Sequence, residues 1–126
     1  MIEEAYVSFE TAKLLEEKGF DESTICVYHK DGIFDRITLN NWNNKFVTPI
    51  CAPTQQMAMR WLREKHNIYI SIQPDFPSEI DYKMCWCWSA NVLHENCIST
   101  KGHQCYIETY EQAVEAAILY TLKNLI

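Results

Sequence analysis

An uncharged stretch long enough to cross a bilayer is missing from this chain. The longest, Phe46 to Met59, is broken by Pro49, Pro53 and two glutamines, and the next, Met84 to His94, has the pattern of a sheet segment. A spanning helix needs about 20 apolar residues, so no membrane association is expected. The amino terminus carries Glu3 and Glu4 and turns polar by Ser8, without the basic start and apolar centre of a secretory signal, which makes cytoplasmic residence the expectation. Positive charge is also scarce, with 11 Lys and Arg against 17 Asp and Glu for a net charge of -6. Binding to duplex nucleic acid draws on concentrated positive charge, so no nucleic-acid partner is expected. No nucleotide loop, paired-ligand metal signature or nucleophile motif occurs, so no catalytic residue, no metal and no cofactor is expected.

What is present is a globular composition. An apolar content of 48% with 22% charge in 126 residues suits one compact domain over 1–126 with its own core. Six cysteines stand in the chain, and the expected reducing compartment reads all six as thiols.

Helix and strand periods alternate along the sequence. Ser8 caps a predicted helix over Phe9 to Lys18, with Phe9, Ala12, Leu14 and Leu15 as its apolar stripe and Gly19 to end it. Thr24 to His29 reads as a strand, Asp31-Gly32 as a tight hairpin turn with two positive-φ positions, and Ile33 to Leu39 as the return strand. The asparagine-rich stretch around Trp42 reads as a loop to Ala52, with a short strand at Phe46-Val47.

From Pro53 to Ile72 a helix pattern passes into a strand pattern almost without a linker. Thr54 is the predicted cap, and Met57, Ala58, Trp61, Leu62 and Lys65 follow three-and-four spacing. Asn67 tolerates the left-handed conformation that stops the helix, after which Ile68, Ile70 and Ile72 alternate with polar residues until Pro74 and Pro77 close the strand. A further strand, Ile80 to Trp88, places Ile80, Tyr82, Met84, Trp86 and Trp88 on one side, and the short loop predicts antiparallel pairing with the isoleucine strand. Ser99 to Gly102 reads as a turn before a strand at Gln104 to Ile107. Thr109 and Gln112 form a capping box for a last helix through Leu125, with Val114, Ala117, Ile118, Leu122 and Leu125 on its apolar face. One-sided helices must cover a one-sided sheet, so the predicted fold is α+β, a two-layer sandwich of about four to six mainly antiparallel strands with three helices on one face.

Ser8 to Asp21, Ala52-Pro53-Thr54-Gln55, Trp61-Leu62-Arg63-Glu64 with His66-Asn67-Ile68, and Thr109 to Ala113 with the final helix resemble a family of small uncharacterised proteins. That family occurs in Bacteroides-type gut bacteria and their phages or integrated elements. The resemblance runs from the first helix to the last and implies a mobile-element or accessory origin. Its matching residues are caps and packing positions, and the cysteine and histidine cluster is not among them.

Three functional readings follow. The first is a non-enzymatic accessory protein that binds an unknown protein partner or itself, with sheet edges and the Trp42 loop as contact surfaces. The second is a small-molecule binder or hydrolase with a pocket between the 40–52 loop and the helix over 54–66, using Arg60, Arg63 or Trp61 and a nearby histidine. The third is a zinc-stabilised module drawing on Cys85, Cys87, His94, Cys97, His103 and Cys105, since zinc takes thiolate and imidazole ligands. Of the cysteine and histidine neighbours, Cys26 with His29, Cys97 with His94 and Cys105 with His103, only the last has the two-residue spacing that puts both side chains on one strand face.

Overall fold

A computed structural model describes residues 2–36, 49–76 and 83–126. The chain order is α1 (Phe9–Glu17), β1 (Cys26–Tyr28), β2 (Phe34–Arg36), β3 (Ile50–Cys51), α2 (Gln55–His66), β4 (Ile68–Asp75), β5 (Cys85–Leu93), β6 (Ile98–Ile107) and α3 (Tyr110–Asn124). The fold is α+β, but the described strands divide into two antiparallel sheets of three, ordered β2-β1-β3 and β4-β5-β6, where one sheet was expected.

The helix ends follow local chemistry. Ser8, Thr54 and Thr109 each accept a backbone N–H from their own helix, and Thr109 and Gln112 close a reciprocal capping box. Asn67 takes φ 56 and ψ 36 as it ends α2. The stripe of α2 differs from the expected one: Gln55, Ala58, Met59, Trp61 and Leu62 are buried, while Met57 and Lys65 are exposed. The first hairpin also differs, because only Gly32 has positive φ. The Gly32 N–H donates to the His29 carbonyl, giving a turn plus one left-handed glycine in place of two left-handed central residues. β3 lies inside the stretch read as loop, and Trp42 with Phe46-Val47 falls outside the described residues.

Register places the second sheet. Ile68 pairs with Val92, Ile70 with Ala90 and Ile72 with Trp88, so the isoleucines and Trp88 share the face turned to the helices. β4 runs through Pro74 to Asp75 instead of stopping at the proline; β4 is an edge strand, where a missing N–H costs no ladder bond. β5 continues to Leu93 where the sequence reading ended it at Trp88, and Met84 lies before the strand and is exposed. The supposed turn at Ser99 to Gly102 is strand. Gly102 is there because the Tyr120 ring occupies the space a Cβ would need, so packing and not chain reversal requires it.

Helix α3 lies over this sheet. Tyr110 meets Trp86 edge-on at 5.4 Å between centroids, and Tyr120 meets Trp88 at 5.3 Å. On the same helix Val114, Ala117, Ile118 and Leu122 are fully buried together with Leu15 of α1 and Leu62 of α2. Each large apolar side chain so buried contributes about 1.5–3 kcal/mol, and these residues belong to one core shared by α1, α2, α3 and the second sheet. Glu115 ties α3 to α1: its Oε1 accepts the Ser8 N–H at 3.0 Å and the Thr11 hydroxyl.

Candidate functional site

The sheet face turned away from α3 carries the chemistry. Alternation puts Ser71, Gln73 and Asp75 of β4, Cys87 and Ser89 of β5, and His103 and Cys105 of β6 on that face, where they line a pocket of about 400 Å³.

Cys87 and Cys105 form a disulfide across β5 and β6, with Cα atoms 4.1 Å apart. This corrects the reading of all six cysteines as thiols; Cys26, Cys51, Cys85 and Cys97 are free. Two β6 residues, Cys105 and Tyr106, face the single β5 residue Cys87 between the pairs Trp86–Ile107 and Trp88–Gln104. That is a β-bulge, and its extra residue Tyr106 takes φ 65 and is 75% exposed. The bulge restores the register so that Ile107, and not Tyr106, packs against the core.

Two further ligand-type groups approach the sulfurs. His103 Nε2 lies 3.7 Å from Cys105 Sγ, and Asp75 Oδ2 lies 3.8 Å from Cys87 Sγ. The ligand atoms of Asp75, Cys87 and Cys105 all fall within 4.8 Å of one another. Asp75 is paired in register with Cys85, and Cys87 is its diagonal neighbour on the same face.

The other members of the sequence cluster do not join it. Cys85 is buried, and His94 and Cys97 sit at the β5–β6 turn, where the His94 N–H donates to the Cys97 carbonyl. Leu93 lies six residue steps beyond Cys87 along β5, which places that turn about 20 Å from the disulfide. Sequence reasoning missed Asp75, because its relation to Cys87 exists only through the β4–β5 register. The same-face spacing of His103 and Cys105 was the signal that could be read. His29 meets Asp35 at 3.1 Å instead of the buried Cys26.

Arg60 and Arg63 are exposed on α2. Arg60 donates to Glu64 at 2.9 Å; this bond and the pair's attraction hold the Glu64 carboxyl below its usual range and raise the guanidinium. A second pocket of about 290 Å³ is lined by Glu22, Met57, Arg60, Trp61 and Glu64. Two carboxylates beside one guanidinium leave that lining with a net negative charge. Among the described residues no helix is long and apolar enough to cross a membrane.

No family model, curated protein or solved structure matches the chain.

Proposed function

We propose that the protein is a non-enzymatic interaction domain that pairs with a second copy of itself through strand β6. The observation that carries this reading is the character of that edge: ten residues, Ile98–Ile107, with no proline and no carboxylate, in a chain of net charge -6. The opposite edge, β4, is blunted by Pro74 and Asp75, two devices that discourage strand addition. Between two acidic copies, repulsion is least along β6, where Lys101 and His103 are the only ionisable side chains besides Tyr106. Ile98 and Tyr106 add exposed apolar surface on the same strand, at 65% and 75%.

The bulges leave regular ladder at Ile98–Thr100 and Gly102–Gln104, so the interface is small and the association depends on concentration. The layering of the helices over one sheet face, supported by the α3 ring contacts, and the cytoplasmic accessory setting, supported by the sequence resemblance, belong to the same proposal.

Light scattering across a concentration series is expected to show mass rising toward twice that of one chain. Ile98→Lys with Tyr106→Lys, both at exposed positions, is expected to return the chain to monomer. A monomer at every concentration, or a dimer indifferent to both lysines, overturns the reading.

A further inference from the structure

The geometry points to a metal site that the Cys87–Cys105 disulfide conceals: once reduced, Cys87 Sγ and Cys105 Sγ, with the Asp75 carboxylate and His103 Nε2, hold one divalent zinc-type cation. The two sulfurs and a carboxylate oxygen already lie within 4.8 Å of one another, and His103 Nε2 is 3.7 Å from one sulfur. Two ligands bound to one zinc at 2.0–2.3 Å stand roughly 3–4 Å apart in a tetrahedron, so small side-chain rotations close the set. The donors suit the ion: two thiolates, one imidazole and one carboxylate match the soft and borderline ligands that zinc prefers. They sit on three strands of one sheet, and the pocket of about 400 Å³ over them gives an entry path.

The exchange balances. A dithiol reductant supplies two electrons and two protons; the S–S bond breaks, Cys87 and Cys105 become thiols, and the reductant leaves as its own disulfide. Zinc then displaces the two thiol protons and forms two Zn–S bonds. In the oxidised protein the sulfurs are bonded to each other and the site cannot form. The β5–β6 crosslink therefore persists in both states, as a disulfide under oxidising conditions and as a metal bridge under reducing ones. This also reconciles a disulfide with the expectation of a reducing compartment, where the dithiol is the standing form.

Co²⁺ is the probe, because thiolate ligation produces charge-transfer absorption and a tetrahedral visible spectrum. The full chain, carrying Cys97→Ser to remove an exposed free thiol, is reduced with a water-soluble phosphine, desalted under nitrogen and titrated. The expected result is one Co²⁺ per chain with thiolate bands, displaced by Zn²⁺, and no such bands from the oxidised protein. Asp75→Asn and His103→Gln, which leave the disulfide able to form during folding, are each expected to weaken Co²⁺ binding by about tenfold or more. Cys87→Ser is expected to abolish the bands. Absence of bands in the reduced protein, or bands unchanged by the Asp75 and His103 substitutions, overturns the proposal. Self-association is read by mass and metal binding by spectrum, so either can fail without the other.

Discussion

Gly102 shows how far one residue's meaning depends on its neighbours. In the sequence it belongs to Ser99-Thr100-Lys101-Gly102, a run of turn formers; in the fold it is mid-strand, and its missing side chain leaves room for the Tyr120 ring. The Tyr120 hydroxyl donates to the carbonyl of Lys101, the extra residue of the second β6 bulge, at 2.9 Å. Gly102→Ala is expected to lower stability by about 1–3 kcal/mol, the cost of overpacking a filled site. Combining it with Tyr120→Ala is expected to cost less than the two changes summed, since the second removes the clash, and urea unfolding of the four proteins checks both. A sequence reading could not separate these roles, because a glycine needed for space and a glycine needed for a turn are the same letter.

At the scale of elements, the helices and their ends were legible, while the buried stripe of α2 was read correctly only at Ala58, Trp61 and Leu62. Ser8, Thr54, Asn67 and the Thr109–Gln112 box all act where the sequence placed them, because capping is local chemistry decided within four residues. Strand ends were less legible: β5 and β6 run beyond their sequence limits because pairing, not propensity, keeps Ser89 to Leu93 and Ile98 to His103 extended. Glu115 could not have been assigned at all. It stands on α3 beside the buried Val114, yet its carboxylate receives the Ser8 N–H and the Thr11 hydroxyl at the start of α1, where a negative charge also complements the helix dipole. Its Oε2 is buried without a hydrogen-bond partner among the described residues. Glu115→Ala leaves fully buried Thr11 without that acceptor and is expected to lower the stability of the whole fold by about 1–3 kcal/mol. Thermal unfolding followed by circular dichroism checks this, and an unchanged midpoint would show that the α1–α3 tie is energetically neutral.

For the whole molecule, the disulfide is the feature with the widest effect. It joins positions 18 apart in sequence, and closing a loop of that size in the unfolded chain is worth about 3 kcal/mol. Reduction in the presence of a metal chelator is therefore expected to lower the unfolding free energy by about 2–4 kcal/mol. Denaturant curves of the oxidised and reduced protein measure it, and overlapping curves would mean that the β5–β6 ladder alone holds the hairpin.

The sequence by itself determined the α+β class, the three helices with their caps, and the antiparallel turn of the isoleucine strand onto the tryptophan strand. Each depends on periods and end signals that act over a few residues. Only the tertiary structure decided that the six described strands divide into two sheets, that a bulge at Tyr106 keeps Ile107 over the core, and that Asp75, Cys87, His103 and Cys105 meet while His94 and Cys97 stand a hairpin's length away. The reason is register: side chains on different strands become neighbours through pairing offsets, and shifting a pairing by one residue would send every one of these groups to the opposite face.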